Sequence, residues 1–295
     1  MTGIRGKTGP SGLAGTSETA GKPTSRWWSA AGALAAAAFA TAAISAPVAA
    51  APQQSAPQQQ APQQQPPPTS KVVGGEPAST DDFPWVVSLT DASGNQFCGG
   101  TLAAPDKVVT AAHCVTGGPP EMTVVAGRDD KLSSDGEEVD VRGTWVHPDY
   151  QQATSGSDVA VLTLERDLPQ TPLQLARPQD SGLYEPGQEA TVLGWGSTSE
   201  GGTPSRTLRQ ATPPITTDQQ CSDAYNGQYD PEAMVCAGLP AGGVDSCQGD
   251  SGGPLVVDDR LIGIVSWGNG CARPGQPGVY TRVASYYDEV QAQLS

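Results

Sequence analysis

Positive charge is scarce in this chain: 16 lysines and arginines stand against 31 aspartates and glutamates, a net −15 at neutral pH. The first 71 residues hold five of the basic residues and one acidic one, so the remainder carries a net −19. Such a body excludes nucleic acid as a partner and attracts cationic peptides only weakly at long range, an effect that salt removes. Histidine is scarcer still, at two residues, and the cysteine and histidine spacing does not suit zinc, which discounts a metal cluster. Beyond residue 50 no apolar run is long enough to span a bilayer, and no internal repeat marks two homologous halves.

What is present begins with a processing pattern. Arg5, Lys7, Lys22 and Arg26 precede an apolar, alanine-rich run from Trp27 to Ala46, and small residues follow at Val48-Ala49-Ala50. This reads as a signal peptide over residues 1–50, cleaved after Ala50, and as secretion to the extracellular space. The run is too weakly hydrophobic for a stable membrane anchor. Residues 51–71 are mostly Ala, Pro and Gln and cannot bury a core, so a disordered pro-segment is expected there.

Residues 72–295 are long enough for a sizeable core. Lys107–Thr110, Val159–Leu164, Ala190–Leu193 and Leu261–Val265 are strand-like runs with glycine, proline or charged breaks between them, which predicts an all-β architecture. After Val283, the spacing of Tyr286, Tyr287, Val290 and Leu294 predicts a C-terminal helix. All six cysteines follow Val72, behind a secretory signal, which implies three disulfides in an oxidising compartment; fifteen pairings remain open.

The chemistry concentrates in the run Asp245-Ser246-Cys247-Gln248-Gly249-Asp250-Ser251-Gly252-Gly253-Pro254. Small residues around Ser251 let a substrate carbonyl approach the main chain, where consecutive N–H groups can face the oxygen that turns negative during attack. A serine hydroxyl is a poor nucleophile and needs a base that later returns the proton. His113, in Thr110-Ala111-Ala112-His113-Cys114, is the candidate; its rival His147 lies in Val146-His147-Pro148-Asp149-Tyr150. The imidazole in turn needs a shielded carboxylate, and Asp158 heads an apolar strand where a carboxylate is costly unless paired.

His, Asp and Ser in this order and context resemble the trypsin-like serine proteases of the chymotrypsin fold, in pattern most nearly the secreted bacterial trypsins. The resemblance extends over 72–287, including Gly194-Trp195-Gly196 and Pro277-Gly278-Val279-Tyr280-Thr281. It implies two packed antiparallel six-stranded β-barrels with a C-terminal helix, and the pairs Cys98–Cys114, Cys221–Cys236 and Cys247–Cys271. Each bridge closes a loop whose chain entropy is worth on the order of 3 kcal/mol. It further implies a catalytic His113, Asp158 and Ser251, with Gly249 and Ser251 N–H groups as the oxyanion hole. Asp245 would sit at the base of the pocket for the side chain before the scissile bond, joined by Ser246 and walled by Ser266, Trp267, Gly268 and Gly278. A poorly hydrated carboxylate there selects Lys and Arg. His147 resembles a His-Pro loop that relatives carry on the surface.

The resemblance also implies a zymogen: cleavage between Lys71 and Val72 frees an α-amine that pairs with Asp250. No cofactor is called for, although the Cys221 to Cys236 loop and Asp135-Gly136-Glu137-Glu138 are places where a structural calcium could sit. The expected partners are protein and peptide substrates and protein protease inhibitors, met by a monomer. A catalytically dead relative would not need His113, Asp158, Ser251 and Asp245 intact. An α/β-hydrolase esterase would share the Gly-x-Ser-x-Gly string but runs Ser, acid, His along the chain, the reverse of this order.

Overall fold

The computed structural model describes Val73 and residues 75–295. The expected signal peptide and pro-segment, with Lys71, Val72 and Gly74, therefore lie outside the described residues.

Short runs rich in valine, isoleucine and threonine dictate strands, because branched side chains pack well on a pleated surface. β1 (Glu76–Pro77) is followed by β2 (Val86–Thr90), β3 (Gln96–Ala104), β4 (Lys107–Thr110), β5 (Thr123–Ala126), β6 (Glu137–Val146) and β7 (Ala160–Leu164). The last six close into a barrel in the order β2-β3-β4-β7-β6-β5. Closure leaves no free edge to template pairing with another chain. Leu89, Leu102, Val108, Leu162 and Leu164 fill it, each with no exposed surface. Burying a side chain of this kind contributes about 1.5–3 kcal/mol.

The second half runs through β8 (Gln174–Leu175), β9 (Thr191–Gly194), β10 (Arg209–Ala211), β11 (Met234–Ala237), β12 (Pro254–Val257), β13 (Arg260–Trp267) and β14 (Gly278–Arg282). Its sheet has the order β1-β10-β9-β12-β13-β14-β11, with β8 added parallel to β13. The two-residue β1 and β8 thus join six longer strands. Isolated bridges Glu189 to Pro214 and Ile215 to Ala237 carry the segment after β10 from β9 across to β11, curling this sheet back on itself. Val192, Leu255, Ile262 and Tyr280 form its interior.

Helix is sparse: α1 (Ala112–Thr116), α2 (Asp218–Tyr225) and α3 (Tyr287–Gln291). α2 starts on a reciprocal cap, in which Thr217 Oγ1 accepts from Gln220 N at 3.1 Å and Gln220 Oε1 accepts from Thr217 N at 3.0 Å. The C-terminal helix is shorter than the spacing predicts. Val283–Tyr286 form a 3-10 turn, and Val283, Tyr286 and Val290 are buried against the first core. The disulfides are Cys98–Cys114, Cys221–Cys236 and Cys247–Cys271, the pairs that the resemblance implies. Among the described residues no helix is long and apolar enough to cross a membrane.

Candidate active site

Strand pairing brings two candidate residues together before any side chain is considered. β4 and β7 are antiparallel, with Thr110 opposite Ala160. His113 lies three residues beyond one strand end and Asp158 two residues before the other, so the ladder delivers them to the same end of the barrel. His113 Nδ1 lies 2.8 Å from one Asp158 oxygen, and the other accepts the His113 backbone N–H at 2.9 Å. Two further groups hold the aspartate from the second sheet: Ser266 Oγ donates to its carboxylate at 2.5 Å and Thr281 Oγ1 to its carbonyl at 2.8 Å. The carboxylate is 1 % exposed and keeps three donors, which is how a buried charge avoids an uncompensated desolvation penalty.

Ser251 stands in the turn before β12, tied to the first barrel by a hydrogen bond from Gly99 N to its carbonyl at 2.8 Å. A Cβ on Gly99 would sit 3.1 Å from Gly253 Cα, a tight contact, so the close approach of the two halves favours glycine. Among the described residues the Ser251 hydroxyl and His113 Nε2 form no hydrogen bond; Nε2 lies 3.8 Å from Cys114 Sγ. Catalytic hydrogen bonds of this kind are commonly long in a free enzyme and tighten around substrate.

Beside Ser251 opens a cavity of about 170 Å³, lined by Asp245, Ser246, Ser266, Trp267, Gly268 and Gly278. Sites enclosing a whole small ligand measure roughly 300–1,000 Å³; this one has the scale of a single side chain. Asp245 lines it at 3 % exposure and accepts from Ser246 N at 2.8 Å and Ala272 N at 3.0 Å. Burial pushes its carboxyl up to about 7, against those donors. Gly278 is needed for the carboxylate itself, because a Cβ there would lie 2.3 Å from Asp245 Oδ1. Gly268 has more space, its nearest neighbour being Gly270 O at 3.5 Å. The Trp267 ring packs edge-on to Tyr225, centroids 4.7 Å apart.

A sequence model described as Trypsin matches residues 72–290. The chain belongs to the trypsin family. It is 55 % identical over 225 residues to the trypsin of Saccharopolyspora erythraea, spanning 76 % of this chain and 98 % of that protein. Trypsin eta of Drosophila melanogaster is 40 % identical over 231 residues, spanning 76 % and 88 %, and Trypsin-1 of Astacus astacus 38 % over 240 residues, spanning 75 % and 99 %. This trypsin-family chain is a serine endopeptidase, a hydrolase whose substrates are proteins.

Within the trypsin-family site, Asp250 is fully enclosed. It accepts from Gly196 N at 2.7 Å and Cys247 N at 2.9 Å, and burial raises its carboxyl to about 6, opposed by those donors and by the Lys131 ammonium. The motif Gly194-Trp195-Gly196 exists to make this room: a Cβ on either glycine would lie within 2.5 Å of an Asp250 oxygen. Asp245 N also donates to Val73 O at 3.1 Å, so the residue after Val72 lies against the pocket wall.

Two differences from the sequence expectations stand out. His147 is buried at 6 % exposure, not on the surface; its Nδ1 accepts from Asp149 N at 3.2 Å, and its ring lies between Trp145 and Tyr286 at 5.8 and 5.2 Å. These edge-on aromatic contacts account for the burial of the imidazole. Ser266, expected only as a pocket wall, also holds Asp158, and nothing in the Val265-Ser266-Trp267 string signals that contact. Thr281 was missed for the same reason. Of the acidic stretch named for calcium, Glu137 pairs with Arg166 at 2.7 Å and Glu138 with Arg128 at 2.9 Å. Among the described residues the single cluster of metal-ligand types is Cys98, His113 and Cys114, whose two sulfurs are bonded to each other.

Proposed function

We propose that this chain is a secreted endopeptidase that cleaves after Lys and Arg, made as a precursor and activated by cleavage between Lys71 and Val72. The observation that carries the specificity is Asp245: an enclosed carboxylate lining a side-chain-sized cavity, held by neutral donors, with no ion pair among the described residues. A guanidinium or ammonium entering the cavity supplies the missing counter-charge. Phenylalanine would leave the charge buried and alone.

In the reaction proposed, Ser251 Oγ attacks the scissile carbonyl while His113 takes its proton. Asp158 holds the imidazole in one tautomer and stabilises the imidazolium. The Gly249 and Ser251 N–H groups receive the oxyanion. Collapse expels the amine, which takes the proton from His113, and water repeats the sequence on the acyl-enzyme. No cofactor enters these steps. Secretion is supported by three disulfides, which persist in oxidising compartments, together with the signal-like segment 1–50. Activation is supported by Asp250, an enclosed carboxylate suited to a buried ammonium, and by the seat of Val73 against Asp245. The enzyme acts as a monomer, and inhibitors presenting a Lys or Arg loop would fill the same cavity.

The test pairs a mixed peptide library with mass-spectrometric mapping of the secreted protein's N-terminus. Cleavage after Lys and Arg alone and a mature start at Val72 are expected. The Arg-to-Phe ratio of kcat/KM should fall by several kcal/mol in Asp245→Ser, as buried cations lose their partner. A parent that prefers Phe, or an unchanged ratio in the variant, defeats the specificity reading.

A further inference from the structure

We propose that Gln96 is a positioning residue for the oxyanion hole, bracing Gly249 from the opposite barrel. The inference rests on the reading of Gly249 N–H as an oxyanion donor. Gly249 has φ +96°, a conformation natural to glycine, and glycine is also the residue least able to hold its own peptide planes still. A donor that must stay aimed to within about 0.5 Å needs external ties. The peptide carrying the Gly249 N–H has its carbonyl, Gln248 O, bound by Ser197 N at 2.7 Å. The next peptide is held at its N–H by Cys247 O at 3.0 Å. Its carbonyl, Gly249 O, accepts from Gln96 Nε2 at 3.2 Å.

Gln96 opens β3, opposite Thr90 on β2, so its backbone is fixed by the first barrel. Its amide also reaches Cys98 O, at 3.4 Å, along the same strand. The side chain therefore bridges the strand leading into Cys98 and the loop that presents Ser251, 153 residues away in sequence. Gln96 does not line the Asp245 cavity, so its effect should fall on the transition state and spare substrate side-chain binding.

The experiment compares active parent, Gln96→Met and Gln96→His using a peptide argininal, the matching argininol and benzamidine. The aldehyde reports on the hole: Ser251 Oγ bonds its carbon, the C=O electron pair moves to oxygen, and the hydroxyl proton passes to His113. Benzamidine reports on the Asp245 cavity alone and serves as the folding control. Gln96→Met keeps the length and removes the donor; kcat should fall about 10-fold, less than the 100- to 1,000-fold for losing a direct donor. KM should stay within about twofold, since a group acting only in the transition state lowers kcat and kcat/KM together. Argininal affinity should weaken by the same factor as kcat and benzamidine affinity should hold. Gln96→His should recover most of the loss, because imidazole Nε2 lies as many bonds from the backbone as the amide nitrogen. Unchanged kcat and argininal affinity in Gln96→Met overturn the proposal, as do equal losses for argininal and benzamidine, or a His variant no better than Met. A parent that binds argininal no more tightly than argininol overturns the oxyanion reading, and this inference with it.

Discussion

Ser266 Oγ donates to Asp158 at 2.5 Å, and the two residues come from different halves of the molecule, β13 and the loop entering β7. The orientation of His113 is thus set jointly: β4 and β7 bring the imidazole and the carboxylate together, and the second sheet fixes the carboxylate.

Ser266→Ala should destabilise the fold and slow catalysis together. A hydrogen bond to a buried charged group is worth about 1.5–3 kcal/mol, and Asp158 would lose one of its donors in an enclosed site. Thermal unfolding should show the lower stability, with kcat reduced while benzamidine still binds. A variant with parental Tm and kcat would show that Asp158 does not depend on this hydroxyl.

Ser251→Ala should abolish turnover while leaving the fold and cavity intact. The residual rate is expected thousands-fold or more below the parent, the scale on which loss of a nucleophile is felt. Benzamidine titration by calorimetry should give an unchanged Kd. Retention of about a tenth of parental kcat would place the nucleophile elsewhere.

Amidine binding should depend on pH through Asp245. Its carboxyl is raised to about 7 in the empty cavity by burial, so below that pH it holds a proton that an entering cation must displace. Affinity for benzamidine should therefore weaken as pH falls, approaching about tenfold per pH unit, with proton release on binding. The sign for stability follows from the same shift. A folded-state value above the unfolded one means that the ionised, buried carboxylate destabilises the free enzyme above about pH 7 and not below the unfolded value of 3.8. Asp245→Asn should accordingly raise Tm at pH 8 more than at pH 4, and a pH-independent amidine Kd in the parent would contradict this account.

If the enzyme cleaves after Lys as proposed, Lys71 is itself a cleavage site, and activation should show a lag that shortens as precursor concentration rises. Lys71→Gln should remain full-length and nearly inactive. Asp250→Asn should be weak even after correct cleavage, since breaking a buried ion pair by removing one partner costs about 3–5 kcal/mol. Full activity from Lys71→Gln, with the 71–72 bond intact by mass spectrometry, would rule the mechanism out.

The amino-acid sequence by itself determined several of the segments that become strands and which residues are chemically equipped. Lys107–Thr110 is β4 to the residue, and the runs at Val159, Ala190 and Leu261 are β7, β9 and β13 within one or two positions. Branched residues bounded by breakers act locally, so their consequence can be read locally. The motif around Ser251, the order His, Asp, Ser, and the carboxylate at Asp245 were legible because reactive groups carry their chemistry wherever they stand. Tertiary structure alone decided the rest. Only the register of β4 against β7 brings His113 to Asp158, and only the docking of the two halves brings Ser266 and Thr281 to that aspartate and Gln96 to Gly249. The burial of His147 between two aromatic rings was equally invisible, as was the need for glycine at 194 and 196 against Asp250. Apart from Trp145 beside His147, these contacts join residues from 45 to 153 positions apart. Their geometry comes from close packing of the whole chain, which no short stretch of sequence encodes.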